Sequence, residues 1–290
     1  MDTRDWEILK ILYEEKNLTR AGQKLFISQP AITYRIRQLE KNFGINILFT
    51  EDKNIQFTTE GEQLVEYAEK MLLEEQKLRD TIMNVGSEVK GTLRLGVSNS
   101  YAQYKLPSIL KGFLEAYPKV KIMLKTGTSS EVINLLFNNE VHIGIENVGY
   151  DWEGSKVPMG KEKIVLISKD KIDIKDLPNL SMIKYTKNPF LKNSIENWWQ
   201  NNFTTSPLIN IDVNYSGTCK EMVKNGLGFA IMPEFSIEKH DNLHILQLCD
   251  ESGKPLQRDN WMNFRKSSLK LSVVSKFVDF ITKHSAVEST

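Results

Sequence analysis

The chain has very little cysteine. Two thiols in 290 residues, Cys219 and Cys249, are too few for a disulfide framework. A reducing cytoplasm is the compartment that suits such a composition. No apolar run approaches the length of a membrane span. The N-terminus, Met1-Asp2-Thr3-Arg4-Asp5, is charged and does not read as a secretory signal. Low-complexity tracts and short repeats are lacking. So is an excess of one charge: 38 Lys and Arg face 37 Asp and Glu, a formal net of +1, so any polyanion must be met by a local surface. There is no Gly-rich phosphate loop, nucleophile elbow or catalytic acid pair, and an enzyme is not expected. His240 and His244 stand four apart but straddle a loop and a strand, so neither a metal nor another cofactor is expected. Cys219 opens a helix, where a thiol pKa can fall. Without a resolving partner it is expected to be a buried structural thiol.

What is present begins at Asn17–Phe49, two helical patterns joined by a tight turn. Leu18, Ala21, Leu25 and Phe26 recur on one helical face, with Thr19 as the expected N-cap. Phe26-Ile27-Ser28 breaks the pattern. Ser28 is placed to cap a second helix, Pro30 is tolerated in its first turn, and Gly44 marks its end. Ala31, Ile32, Ile36 and Leu39 form its apolar side. Gln29, Thr33, Tyr34, Arg35 and Arg37 form the other, a set suited to base edges and phosphates in a major groove. Between Lys16 and Lys41, Lys16, Arg20, Lys24, Arg35, Arg37 and Lys41 stand against Glu40 alone, a basic patch on a neutral chain.

These residues carry a resemblance. Thr19-Arg20-Ala21, Leu25-Phe26, Ser28-Gln29-Pro30-Ala31, Ile36, Leu39-Glu40, Gly44 and Leu48-Phe49 stand at the spacings of LysR-type transcriptional regulators. Phe57-Thr58-Thr59-Glu60-Gly61 resembles that family's motif after the wing. The likeness runs through essentially the whole chain. It implies a winged helix-turn-helix whose DNA contacts are Arg20, Ser28, Gln29, Pro30, Thr33, Tyr34, Arg35, Arg37 and Lys53. Two departures stand out: Gly22 replaces a common Ala, and Thr50-Glu51-Asp52-Lys53 replaces a common arginine, with Lys53 the expected substitute. Acids at the wing tip leave affinity to the second helix.

The first helix is expected near Asp5 to Glu15. After the wing, Thr58 or Thr59 caps a long helix. Leu64, Ala68, Met71, Leu78, Ile82 and Val85 fall at heptad spacing. A helix of about 28 residues would span about 42 Å, more than its own domain can cover. Pairing with a second copy is expected, and the resemblance implies a dimer that assembles further to a homotetramer.

Val85-Gly86-Ser87 and Lys90-Gly91 mark a boundary. Beyond it, strands and helices alternate in two series, the pattern of parallel α/β units. This resembles the two-lobed, periplasmic-binding-protein-like effector domain of the same family, whose chain crosses twice between lobes. The crossings are expected near Gly160–Lys163 and Lys266–Ser268. Hydroxyl-rich segments fall at strand ends, where such lobes bind ligands: Ser98-Asn99-Ser100, Thr128-Ser129-Ser130 and Thr218. Each also reads as a plain helix cap; together, with Arg258, they are expected to hold a carboxylate. His142-Ile143-Gly144-Ile145, Asp151-Trp152-Glu153-Gly154, Trp198-Trp199, Thr218–Met222 and Arg258-Asp259 resemble a citrate-responsive branch of the family. Where that branch carries an arginine after the His-Ile-Gly-Ile strand, this chain has Glu146-Asn147. The expected ligand is therefore a small carboxylate of lower charge than citrate, or one with an amino group for Glu146. Ser98, Asn99, Ser100, Thr128, Ser129, Glu146, Asn147, Thr186, Thr218 and Arg258 are the expected ligand-binding residues.

The expected fold class is α/β with a winged helix-turn-helix at 1–59, a linker helix at 60–88 and an effector domain at 89–290. Lobe I takes about 89–162 and 267–290, and lobe II about 163–266. The expected function is a ligand-switched, DNA-binding regulator. The alternative is a solute-binding protein whose N-terminal domain only engages other proteins.

Overall fold

Asp2 sets the start of helix α1, Thr3–Glu15. In the computed structural model, which describes residues 1–51, 54–83, 88–185 and 188–287, Asp2 and Asp5 exchange side-chain-to-backbone hydrogen bonds of 3.0 Å. The reciprocal pair satisfies two of the N–H groups a helix start leaves open. Helix α2, Leu18–Leu25, is capped by Asn17 rather than Thr19: Asn17 Oδ1 accepts from Arg20 N at 3.0 Å. Thr19 lies within the first turn and is exposed. Helix α3 runs Gln29–Phe43. Ser28 occupies its N-cap position without a side-chain cap bond, Pro30 is in the first turn, and Gly44 ends it at φ +67°.

Ile8, Leu9 and Leu12 of α1 pack with Ile32, Ile36 and Leu39 of α3 in one core. Ala31, on the expected apolar face, is exposed. Phe26 is a larger exception. It sits beyond α2 at φ 56°, in the left-handed region, and is 94% exposed. That conformation costs a residue with a Cβ roughly 1–2 kcal/mol.

Strands β1, Leu48–Glu51, and β2, Asn54–Phe57, pair antiparallel as the wing. Glu40 Oε1 accepts from Ile47 N at 2.9 Å and Leu48 N at 3.3 Å, tying α3 to the wing. Helix α4, Thr59–Met83, follows. Thr58 Oγ1 accepts from Gly61 N at 2.9 Å and donates to Asn46 O at 2.5 Å. Gly61 packs against the wing so closely that an added Cβ would lie 2.3 Å from Ile47 O. Gly61→Ala is therefore expected to destabilise this unit. Overpacking against backbone costs about 1–3 kcal/mol, more than the roughly 1 kcal/mol of helix propensity gained. A lowered denaturant midpoint, followed by helical circular dichroism, checks this.

The expected heptad seam divides in two. Leu64 and Ala68, together with Val65, are buried in the winged domain's own core. Leu78 and Ile82 are 60% and 61% exposed. Val85 lies outside the described residues.

Residues 1–85 and 86–290 form separate compact units. In the second, β3, Gly91–Ser98, leads to α5, Asn99–Tyr104, and α6, Leu106–Ala116. Strand β4, Val120–Gly127, helix α7, Ser129–Phe137, and strand β5, Ile143–Glu146, complete the first series. Strand β6, Ser155–Ser168, is 14 residues long and enters the second half. There β7, Ser181–Lys184, α8, Pro189–Asn202, β8, Leu208–Asp212, α9, Ser216–Lys224, β9, Ala230–Pro233, and β10, His244–Gln247, follow. Strand β11, Gln257–Phe264, returns to the first half, and α10, Ser272–Val287, closes it.

The main sheet has the order β10-β6-β11-β5-β3-β4, with β9 also on β6. It is mixed rather than parallel throughout: β3 is parallel to β4 and β5, while β11 runs antiparallel to β5 and β6. Both crossings lie on this β6–β11 ribbon. Its register shifts between Asp259 and Trp261, and Met262 and Phe264 already belong to the lobe I core. The return to lobe I thus comes several residues before the expected Lys266–Ser268. In lobe II, Ile164 and Leu166 face one apolar cluster and Val165 and Ile167 another, as in a strand covered on both sides. Cys219 is fully buried in the second cluster, and burial pushes its thiol up to about 12, the reverse of an activated thiol.

Candidate functional site

Two surfaces collect the chemistry, one on each unit. The first is the outward face of α3. Ser28, Gln29, Pro30, Tyr34 and Arg37 are exposed and Thr33 is half-buried. Gln29, Pro30, Thr33, Tyr34 and Arg37 line one shallow depression. Thr33 Oγ1 donates to Gln29 O at 3.1 Å, a bond within the helix that leaves the hydroxyl oxygen able to accept. Arg35 is differently placed from its neighbours. Its NH1 is 2.7 Å from Asp5 Oδ1 and 3.2 Å from Asp2, which binds α3 to the start of α1. Lys24 is likewise held by Glu15 at 2.6 Å. Arg20, Arg37 and Lys41 are exposed and enter no ion pair among the described residues, so they carry the free positive charge of this face. Lys53 lies outside the described residues.

The second surface is a cleft of about 340 Å³ between the two lobes. Ser98, Asn99 and Ser100 reach it from the end of β3, and Thr128 and Ser129 from the start of α7. Asn147 follows β5, and Arg258 rises from β11. Lobe II contributes Tyr185, Asn188 at the N-cap of α8, and Asn214, Tyr215 and Ser216 at the start of α9. Three helices of more than two turns thus begin at this cleft, and their N–H groups and dipoles favour an anion.

Arg258 is the centre of the cleft floor. It is nearly buried, its Nε bonded to Glu162 Oε1 on the neighbouring strand β6. Asn260 Nδ2 donates to the other Glu162 oxygen at 3.2 Å. Burial pushes the Arg258 guanidinium down to about 9, so it remains a cation at neutral pH. Its Nη2 is 3.4 Å from Ser100 Oγ. The Asn147 amide bridges the rest. One end lies 2.9 Å from both Ser129 Oγ and Asn188 Nδ2. Turned over, the amide instead directs its oxygen to the two terminal Arg258 nitrogens at 3.1 and 3.2 Å and gives up the bond from Asn188 Nδ2, so the two pairings are alternatives. Ser98 Oγ is buried and has no partner among the described residues. A buried hydroxyl without a partner carries a desolvation cost that a bound acceptor would relieve.

Thr128 is committed to a capping box with Glu131. Its backbone N–H and hydroxyl hold the Glu131 carboxyl below the usual range, so an anion stands on the cleft rim. Glu146 does not face the cleft, contrary to expectation. Its carboxylate accepts from Val148 N at 2.7 Å, Gly149 N at 2.9 Å and Asn263 Nδ2 at 3.0 Å, and it is fully buried. Strand alternation gives the cleft to Asn147 and turns Glu146 the other way. Thr218 is also outside the lining: α9 begins at Ser216, and Thr218 is an exposed residue within its first turn. Thr186 lies outside the described residues. Asn188, Asn214 and Ser216 were missed in sequence. Asn188-Pro189 was the available signal, an N-cap residue followed by proline.

A larger cavity of about 530 Å³ lies within lobe II beside α8, lined by Trp199, Phe203, Ile209 and others. It gathers no comparable set of hydroxyls and N–H groups around a buried cation. The interlobe cleft is therefore the better ligand site.

The fold and these two surfaces define a winged helix-turn-helix protein carrying a two-lobed ligand-binding domain. Residues 3–62 match the family described as bacterial regulatory helix-turn-helix protein, lysR family, and residues 86–286 match the LysR substrate binding domain. The chain is 44% identical to YraN of Bacillus subtilis (strain 168), described as an uncharacterized HTH-type transcriptional regulator, over 97% of each chain. It is 33% identical to YkuM of the same organism, also over 97% of each. The fold matches the crystal structure of full-length CbnR complexed with its target DNA, at TM-score 0.73, 18% identity, and coverage of 98% of this chain and 99% of that one. The protein belongs to the LysR family of DNA-binding transcriptional regulators. The narrower likeness to a citrate-responsive branch finds no support among these relatives. Among the described residues, no helix is long and apolar enough to cross a membrane.

Proposed function

We propose that this regulator reads its operator through Gln29, Thr33, Tyr34 and Arg37, and that a small carboxylate of low charge, held between the lobes, switches it. The observation that carries the ligand reading is the convergence on one cleft of Arg258, the unpartnered Ser98 hydroxyl and three helix N-termini. The charge balance supports a weakly charged ligand. Arg258 is already matched by Glu162, and Glu131 adds an anion at the rim. A tricarboxylate would meet one shared cation, whereas a monocarboxylate with hydroxyl or amino groups suits the many neutral donors and acceptors. Glu146 does not reach the ligand, because it faces Asn263 and the loop after β5.

A homodimer through α4 is supported by Leu78 and Ile82, which stand apolar and exposed on its distal half. Further assembly to a tetramer is supported by two sheet edges: β4 exposes Met123 and Leu124, and β8 exposes Leu208 and Ile209. Asn147 in lobe I and Asn188 in lobe II meet across the cleft. A ligand that replaces this contact changes the balance between lobe arrangements, and repacked lobes alter the spacing of the recognition helices.

Gel retardation with the DNA upstream of the protein's own gene tests the DNA reading. Gln29→Ala is expected to weaken retention by about 1–3 kcal/mol, the worth of one good base contact. Unchanged retention would remove Gln29 from the reading face. Calorimetric titration of the full chain with mono-, di- and tricarboxylates tests the ligand reading, and tight binding of citrate alone would overturn it.

A further inference from the structure

Phe26 is costly to the fold and contributes no packing to it. It occupies the left-handed turn after α2, a place usually taken by glycine or asparagine. Among the described residues, the other positive-φ residues with a Cβ are Lys16, Asn139 and Asn242, none of them bulky and apolar. The ring is 94% exposed, so no buried contact offsets the strain. Its neighbour Ile27 anchors the turn, with its N–H on Gly22 O at 3.0 Å, and packs against the core. Strain of this kind at an exposed position points to function rather than folding. Phe26 also lies two residues before Ser28, at the end of α3 that presents Gln29 and Pro30. The exposed ring thus stands three residues before Gln29, the first residue of the helix proposed to read DNA.

We infer that Phe26 is an apolar DNA contact, packing its ring on a thymine methyl or a deoxyribose beside the bases read from α3. Apolar side chains recognise the thymine methyl in the major groove, and such a contact displaces no counterion. It therefore leaves the salt dependence of binding unaltered, unlike a contact from arginine.

The inference rests on the reading of α3 as the DNA-binding helix, and the experiment separates the two. Fluorescence anisotropy with the fragment upstream of the protein's own gene is measured over a range of salt. If the parent protein fails to bind, the underlying reading fails. If the parent binds, Phe26→Gly is expected to lower affinity about tenfold. The slope against salt should stay unchanged, and the unfolding temperature should be no lower than the parent's, because glycine accepts the left-handed turn. Arg37→Ala, in contrast, is expected to reduce the salt slope by about one. Full affinity in Phe26→Gly would overturn the inference, as would a loss of affinity that merely follows a loss of folded protein. Replacing thymine by uracil in the fragment then separates the two apolar partners. A matching loss for the parent, with none added for Phe26→Gly, assigns the methyl. A loss confined to the protein variant assigns the sugar.

Discussion

Changing both Leu78 and Ile82 to aspartate is expected to yield a folded monomer that binds operator DNA about 10²- to 10⁴-fold more weakly, the factor lost when two linked contacts become one. Both side chains are mostly exposed in the single chain, so the substitution removes no contact from the protomer's own core. In a pair of α4 helices the same two positions would be covered by the partner helix. Full burial of each leucine or isoleucine side chain contributes about 1.5–3 kcal/mol, and four are involved per dimer. Aspartate reverses this, because it brings charges into an apolar seam. The flanking pairs Glu74–Lys77 and Glu75–Arg79 lie along the helix and keep it helical on its own. Light scattering after size exclusion gives the mass, and circular dichroism the helix content. A parent-like mass would refute pairing through α4.

Arg258→Ala is expected to abolish the response to ligand and to destabilise the effector unit by about 3–5 kcal/mol. The two effects have different origins. The first is loss of the cleft's buried cation, whose terminal N–H groups face Ser100 and the Asn147 amide. The second is the Glu162 carboxylate, buried and left, among the described residues, with Asn260 as its remaining side-chain hydrogen-bond partner. The double change Arg258→Met with Glu162→Gln removes both charges together. It is expected to restore most of the stability, because replacing a whole buried pair is far milder than breaking it. It should not restore the ligand response. Thermal denaturation with and without a carboxylate panel reads both effects, since a ligand at a hundredfold its Kd stabilises by about 2.7 kcal/mol. A double variant that still responds would remove Arg258 from the ligand site.

Pattern and spacing made much of this protein legible in sequence. The helix-turn-helix follows from Leu18, Ala21, Ile32, Ile36 and Leu39, with Pro30 and Gly44 as punctuation, because helical period and backbone restriction are local properties. The hydroxyl segments at Ser98–Ser100 and Thr128–Ser129 were legible for the same reason, as they sit where strands end and helices begin. The errors came where a neighbour distant in sequence decides. Phe26 continues an apolar face, yet the left-handed turn swings it into solvent. Leu64 and Ala68 fit a heptad, yet α1 claims them for the domain core. Arg35 reads as unpaired charge beside Arg37, yet Asp2 and Asp5 pair with it.

The sequence by itself determined the class of protein, its two units and the helix that presents Gln29 to Arg37. The strand register and the return of β11 beside β6 decided what the cleft contains. They set Arg258 against Glu162, turned Asn147 rather than Glu146 inward, and brought Asn188 and Ser216 of lobe II opposite Ser98 and Ser129 of lobe I. Arg258 and Ser100, which meet in the same cleft, stand 158 positions apart. Local periodicity carries no information about them, because a one-residue shift in strand alternation exchanges the inward and outward faces.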